Sequence, residues 1–155
     1  MSQLKKKISL YSKNAADILK KLDGLTGLIY LNDNNNPTIG FLPQDYIIIQ
    51  NENYLEFERQ NFNEYKNRSK LNQLLNFIQF KENNLHKDIK STTSFMGGYI
   101  GFISYDFSAH QFINGQNHIQ PSLFLGQYRS FLKYIDNDWY FFSDEENALD
   151  LVTYI

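Results

Sequence analysis

Apolar side chains recur at helical spacing in three parts of the chain. In residues 15–22 they form one face of a short helix, which Ser12 or Asn14 can cap. A second helical pattern begins at Ser69 and continues with apolar residues at i, i+3, i+4 and i+7 spacing. A third begins at Asp144, where acidic residues in the first turn favour the helix dipole. These patterns predict two or three helices.

Short apolar runs separated by turn residues dominate the rest of the chain. Asn and Asp cluster in residues 33–37, 50–53 and 136–138, where they favour tight turns because their side chains bond to nearby backbone groups. The runs typical of strands are residues 28–31, 38–41, 46–49, 54–58, 95–106, 123–135 and 139–142. Because most connections are short, the pattern predicts an α+β fold that is mostly antiparallel β-sheet with two or three helices.

The most distinctive run alternates small and large apolar residues and contains three glycines. Glycines inside a strand mark places where another backbone or a bulky side chain approaches closely. Gly97 and Gly98 allow dihedral angles that are forbidden to other residues, and Gly101 leaves room on one face. Tyr105 and Asp106 end the strand with two polar groups. We therefore expect a buried strand at the centre of the fold.

The composition limits the class of protein. With 155 residues, 42% of them hydrophobic and 16% aromatic, the chain can bury one core, so we expect a single domain covering residues 1–155. A net charge of −2 and one short basic run at residues 5–7 argue against nucleic acid as a partner. The chain has no cysteine, no signal-peptide pattern and no apolar segment of membrane length. These features predict a cytoplasmic protein with no membrane partner.

Candidate catalytic and metal-binding groups are scarce in the sequence. His86, His110 and His118 have no metal-ligand spacing with carboxylates, and no P-loop, nucleophile elbow or Ser/His/Asp grouping is present. Glu56 and Glu58 alternate outward on a predicted strand, which is typical of a solvated face rather than of an acid/base pair. The sequence therefore predicts no catalytic residue, no metal site and no cofactor in this chain.

Two motif blocks resemble the N-terminal domain of the anthranilate synthase and aminodeoxychorismate synthase component I family. The glycine-rich residues 97–106 match the pattern G-G-x-x-G-x-x-x-Y-D, and Pro121 and two strands ending in a Trp/Tyr-rich segment follow them. Earlier in the chain, the apolar residues 27–32, a polar turn and the I-G-F-x-P string at residues 39–43 resemble the family's first strands. The resemblance covers about residues 24–144 and implies the N-terminal part of the chorismate-utilising-enzyme fold.

This resemblance implies a role in a chorismate-aminating synthase. Aminodeoxychorismate synthase aminates chorismate on the route to 4-aminobenzoate and folate, with ammonia from a glutamine amidotransferase subunit. In the family the acid, the base and the carboxylates that hold magnesium lie in a later catalytic half, which we expect to be absent from this chain. The implied partners are therefore the amidotransferase and the catalytic half, and magnesium belongs only to that half. An uncovered sheet surface would also favour a homodimer.

The resemblance also implies a pocket for tryptophan between two packed sheets. By position, its residues would be Leu31, Asn32, Asn36, Pro37 and Thr38. Leu31 and Asn32 stand where the family's Leu-Leu-Glu-Ser pattern has Glu and Ser, so the carboxylate that would pair with the ligand's ammonium is missing. This departure favours aminodeoxychorismate synthase over anthranilate synthase. Alternatively, Asn32 simply ends a strand and starts a turn.

Several hypotheses remain open from the sequence alone. The main one is the N-terminal domain of aminodeoxychorismate synthase component I, inert by itself. The alternatives are the N-terminal domain of anthranilate synthase component I in tryptophan biosynthesis and a free-standing module that binds an amino acid. An unrelated β-rich interaction domain whose motifs match by chance is the remaining one.

Overall fold

The computed structural model describes residues 3–9, 12–33, 35–50, 53–70, 94–104 and 121–155. In these ranges the chain forms ten strands and two helices. The strands are β1 (Leu4–Ile8), β2 (Ile29–Asp33), β3 (Asn36–Gly40), β4 (Asp45–Gln50), β5 (Asn53–Asn61), β6 (Glu64–Lys70), β7 (Gly98–Ile103), β8 (Leu123–Tyr128), β9 (Ser130–Ile135) and β10 (Asp138–Ser143). The helices are α1 (Ala15–Lys21) and α2 (Ala148–Val152).

The strands form two five-stranded sheets. Sheet 1 has the order β1-β10-β9-β3-β2, and sheet 2 has the order β6-β5-β4-β8-β7. Every strand pair in the described ranges is antiparallel. Together with the two helices, this arrangement confirms the predicted α+β class with mostly antiparallel sheet.

Helix α1 covers one face of sheet 1. The Oδ1 atom of Asn14 accepts a hydrogen bond from the Ala16 amide at 3.0 Å, so Asn14 rather than Ser12 is the cap. Ile18 and Leu22 are buried, which confirms that the apolar face of this helix packs inward. The core that they join contains Ile39, Phe41, Leu42, Leu132, Trp139, Phe141, Ala148 and Leu151.

Two hairpins of sheet 1 depend on non-glycine residues with positive φ. Asp136 and Asn137 have φ of 49° and 65°, as a two-residue type I′ turn requires, which confirms the predicted turn between β9 and β10. Asn35, in the turn between β2 and β3, has φ of 63°. This second turn is shorter than predicted, because Asn36 and Pro37 already pair with β2 as strand residues.

The chain passes from sheet 2 to sheet 1 at Arg129. Strand β8 belongs to sheet 2 and β9 to sheet 1, so the prediction of one strand over residues 123–135 is wrong. Both strands are mostly apolar. Their residue pattern therefore gives no sign that one strand ends and the next begins at Arg129. The Arg129 Nε donates to Asp144 Oδ1 at 2.7 Å and its second amino group donates to the Asp144 carbonyl at 2.8 Å. These bonds fix the crossing beside the end of β10.

Strand β7, predicted to be buried at the centre of the fold, lies at an edge of sheet 2. Among the described residues it pairs only with β8. Its side chains Phe102 and Ile103 are 48% and 62% exposed, so the prediction of burial is wrong for the second half of the strand. The predicted dihedral angles are confirmed, since Gly97 and Gly98 have φ of 102° and 126°.

The remaining corrections concern two predicted helices. Ser69 is a residue of β6, so the helix predicted to begin there is wrong at its start. The rest of that helical pattern lies outside the described residues, as do Tyr105 and Asp106. The last helix begins at Ala148 rather than at Asp144, because the acidic side chains before it bond to arginines of other segments.

Candidate functional site at the junction of the two sheets

The two sheets meet around Tyr128, the last residue of β8. Tyr128 is fully buried, and its hydroxyl donates a hydrogen bond to the Gly27 carbonyl at 2.6 Å. Burial raises the pKa of Tyr128, so the phenol stays protonated and remains a donor. A Cβ at Gly40 would come within 2.8 Å of the Tyr128 ring, so β3 can lie against the ring only because this residue is glycine.

Other glycines of the two motif blocks pack at the same junction. A Cβ at Gly97 would lie 3.3 Å from the Tyr128 carbonyl oxygen. A Cβ at Gly27 would lie 2.6 Å from Pro43 Cδ and 3.1 Å from the Tyr128 hydroxyl. Residues from both blocks of the family resemblance therefore contact one buried tyrosine.

Gly101 has a different neighbour. A Cβ at this position would overlap the Phe124 carbonyl oxygen and lie 2.9 Å from the Leu125 Cα. The prediction that Gly101 allows a close approach is confirmed, and the approaching group is the backbone of β8 rather than a core side chain. The glycine therefore fixes how tightly β7 pairs with β8.

A buried polar cluster lies beside this junction, centred on the Lys133 ammonium. The Lys133 side chain is 3% exposed and extends from the middle of β9. Its Nζ donates to Asp33 Oδ2 at 3.1 Å, to the Phe95 carbonyl at 2.8 Å and to the Ser94 hydroxyl. The same Asp33 oxygen accepts from Ser94 Oγ at 2.9 Å and from the Phe95 amide at 2.5 Å. The cluster ties the segment before β7 to sheet 1.

The charge state of the cluster follows from these bonds. Partial burial alone would raise the pKa of Asp33, but hydrogen bonds from the Phe95 amide, Lys133 and Ser94 outweigh burial and lower it. Asp33 is therefore ionised at neutral pH. Ser94 and Lys133 are the residue types of a serine–lysine catalytic pair, which needs an amine free to accept a proton. Lys133 Nζ instead donates hydrogen bonds to three acceptors, one of which is the ionised Asp33 carboxylate. This arrangement is suited to an ion pair and not to proton abstraction.

The five predicted pocket residues do not share one face of sheet 1. Leu31, Asn36 and Thr38 lie on the face that carries Lys133, and Thr38 is the direct partner of Lys133 across β3 and β9. Thr38 is fully buried, with its hydroxyl donating to the Asn36 carbonyl at 3.1 Å. Asn32 and Pro37 pair with each other and point to the opposite face.

Sequence reasoning missed the two charged residues of this cluster. The hairpin nevertheless carries a carboxylate, that of Asp33, two residues after Leu31 on the same face. Its partner Lys133 could have been suspected, because it is a single lysine inside the apolar strand β9. The pairing itself depends on the register of strands that are distant in sequence.

A second buried ion pair joins sheet 2 to the segment after β10. Arg59 of β5 pairs with the Glu145 carboxylate, and both side chains are 8% exposed. Arg59 also donates to the Leu42 carbonyl at 2.5 Å, and Ser130 Oγ donates to the other Glu145 oxygen at 2.6 Å. Because the Arg59 guanidinium and the Glu145 carboxylate each have further hydrogen-bond partners, this ion pair fixes β5 of sheet 2 relative to the segment after β10 of sheet 1.

One face of sheet 2 carries an aromatic row that crosses the whole sheet. The ring of Tyr46 lies 4.8 Å from Phe57 and 5.6 Å from Phe124 between centroids. Tyr65 lies 5.1 Å from Tyr46, and Phe102 lies 6.1 Å from Phe124. Each of the five strands thus contributes one ring. Four rings are half-buried and Phe102 is exposed, so the row forms an apolar surface that ends at the edge strand β7.

No protein-family model matches the sequence. A search of curated proteins gives no significant match. Within the described residues, no three His, Asp or Glu side chains are grouped so that they could hold a metal ion. Neither of the two helices in the described ranges is long and apolar enough to cross a bilayer.

Proposed function

We propose that this chain is the N-terminal, non-catalytic domain of an aminodeoxychorismate synthase component I. The observation that carries the proposal is the convergence of both motif blocks on Tyr128. Gly27 and Gly40 of the first block and Gly97 of the second are each glycine where a side chain would meet Tyr128. Both motif blocks therefore contribute glycines to one packing point, which supports their belonging to one structural unit.

The role of the domain in this proposal is to support a catalytic portion. The aromatic row and the neighbouring edge strand β7 supply an apolar surface of the kind that marks partner sites. The catalytic portion would hold chorismate and magnesium, and a glutamine amidotransferase would supply ammonia. The assembly would act in the cytoplasm on the route to 4-aminobenzoate and folate.

The test is functional complementation between separate chains. Alone, the purified chain is expected to form neither aminodeoxychorismate nor anthranilate from chorismate, ammonia and magnesium. Mixed with the catalytic portion of an aminodeoxychorismate synthase that lacks its own N-terminal domain, it should restore amination. The catalytic portion of an anthranilate synthase, treated in the same way, is the matched control.

The outcomes separate the candidate functions. Rescue of the anthranilate synthase portion alone would assign the chain to tryptophan biosynthesis instead. Binding to neither portion would overturn the proposal. Titration with tryptophan tests the free-standing binding module, and we expect no heat of binding, because Lys133 already occupies the carboxylate on the β2–β3 hairpin.

A further inference from the structure

We propose that Asp33, Ser94 and Phe95 form a binding site for a primary ammonium group, and that Lys133 occupies this site from within the chain. The ligand class is a primary alkylammonium ion. The proposal rests on the geometry of the cluster and is independent of the function proposed above.

The acceptors match the three protons of a primary ammonium. A carboxylate oxygen, a hydroxyl and a carbonyl each accept one N–H bond from Lys133 Nζ. The Ser94 hydroxyl accepts from Lys133 and donates to Asp33, so its proton is directed away from the cation. The Phe95 amide also donates to Asp33, which orients the carboxylate before any cation binds.

The alkyl part of Lys133 has its own defined surroundings. Thr38 of β3 and Tyr140 of β10 are its direct neighbours on the two flanking strands. The ammonium end is nearly closed off, whereas the Asp33 side chain keeps 18% of its surface exposed. Shortening Lys133 would therefore leave a narrow channel on the face of β9, between the side chains of Thr38 and Tyr140, with a partly exposed carboxylate at its end.

Occupation by Lys133 has two consequences. It would hinder a free amino acid from pairing with Asp33 on this face of sheet 1, because Asp33 Oδ2 already accepts hydrogen bonds from Lys133, Ser94 and Phe95. It also holds the segment that contains Ser94 and Phe95 against sheet 1, where the Phe95 ring packs on Phe131 at 5.1 Å. The cluster of Lys133, Asp33, Ser94 and Phe95 therefore positions the start of β7, and we call it the clasp.

The experiment replaces the lysine by a free ligand. In Lys133→Ala, n-propylammonium has the three carbons and the nitrogen that the substitution removes. We expect a lowered melting temperature that rises saturably with n-propylammonium, by about 3–6 °C at ten times its Kd. Tetramethylammonium at equal ionic strength should give no such rise, because it cannot donate hydrogen bonds. The wild-type chain should respond to neither ion.

Two matched variants make the result decisive. Adding Asp33→Asn to Lys133→Ala should abolish the response to n-propylammonium, and Lys133→Met, which refills the channel with an uncharged chain, should not respond. An equal response to both ions, or an unchanged response after Asp33→Asn, would overturn the proposal.

A second measurement covers the case in which Lys133→Ala does not fold. Lysine acylation read by mass spectrometry should leave Lys133 at least about tenfold less reactive than the exposed Lys6 in the wild-type chain. Asp33→Asn should raise the reactivity of Lys133 toward that of Lys6. If Lys133 stayed protected in Asp33→Asn, burial alone would explain its position and the ammonium site would be refuted.

Discussion

Sheet 1 and sheet 2 have the same number of strands but differ in how their surfaces are covered. One face of sheet 1 packs on α1 and α2, and the other receives Tyr128 and Phe95. Sheet 2 instead presents the aromatic row, whose last ring, Phe102, is 48% exposed. Burial of apolar area is the main stabilising term in folding, so the exposed part of the Phe102 ring is apolar area that folding leaves unburied. The aromatic row on sheet 2 thus ends in an exposed ring at the edge strand β7, and this is the surface proposed above to receive a partner.

The edge strands of the two sheets differ in charge. Strand β1, at one edge of sheet 1, carries three consecutive lysines, and β6, at one edge of sheet 2, contains four charged residues. Charged side chains on an edge prevent pairing with another chain. Strand β7, whose sequence is GYIGFI, contains no charged residue. The uncharged edge therefore lies next to the exposed end of the aromatic row, and both features mark one surface.

The ion pair that joins the two sheets provides the largest expected effect. In Glu145→Ala, the buried Arg59 guanidinium loses its carboxylate, and Ser130 loses an acceptor. Removing one partner of a buried ion pair costs about 3–5 kcal/mol, because the other charge stays buried without compensation. We expect the free energy of unfolding to fall by this amount in urea denaturation.

The neighbouring residue provides the control. Glu146 is exposed, and Glu146→Ala should change the free energy of unfolding by less than about 0.5 kcal/mol. The double variant Arg59→Met with Glu145→Leu should recover most of the loss, since it removes both charges. Equal effects of Glu145→Ala and Glu146→Ala would mean that the ion pair does not hold the sheets together.

Substitution of Gly101 tests the contact between β7 and β8. In Gly101→Val the new side chain would overlap the Phe124 carbonyl oxygen, so one strand must shift. Overpacking of this kind costs about 1–3 kcal/mol, which thermal unfolding can measure. Ile103→Val on the exposed part of the same strand should have little effect. A melting temperature unchanged by Gly101→Val would show that β7 does not pair tightly with β8.

Local signals in the sequence predicted the parts of the fold that a few neighbouring residues decide. The turn at Asp136 and Asn137 and the dihedral angles of Gly97 and Gly98 were predicted correctly, and the cap Asn14 was one of the two residues proposed. In each case the side chain or its absence acts on the backbone within a few residues. Such effects do not depend on the rest of the chain.

Features that depend on distant strands could not be predicted in the same way. The crossing at Arg129 separates two apolar strands that look continuous in sequence, and β7 has the composition of a central strand although it lies at an edge. The partnership of Lys133 with Asp33 requires the register of β9 on β3 and of β3 on β2. Strands β1 and β6 were missed because charged residues obscure their alternation.

Acidification tests the clasp on sheet 1, with a smaller effect than the substitutions above because Asp33 is partly exposed. The pKa of Asp33 is lowered in the folded protein, so its stabilisation is complete above the unfolded-state pKa of about 3.9. The stabilisation is lost as pH falls through the folded-state pKa. We therefore expect the free energy of unfolding to decrease below about pH 4.

Asp33→Asn separates this contribution from that of other carboxylates. The variant should be less stable than wild type at pH 7, and the difference should shrink on acidification. Asp138, whose pKa is lowered by its hydrogen bond to Lys7, is a surface carboxylate that serves as the control. If Asp33→Asn and Asp138→Asn altered the pH dependence equally, the clasp would contribute no more than a surface pair.

The smallest effect on stability is expected on the partner surface itself, where the readout is association. Without a covering partner, the chain should self-associate at micromolar concentration through β7 and the aromatic row, and it should bind a hydrophobic dye.

Ile103→Lys places a charge on the uncharged edge and should abolish association in light scattering, while changing the free energy of unfolding by less than about 0.5 kcal/mol. Leu149→Lys, at an equally exposed residue of α2, should leave association intact. A strictly monomeric wild-type chain that binds no dye would mean that sheet 2 needs no partner, and the free-standing binding module would then be the better function.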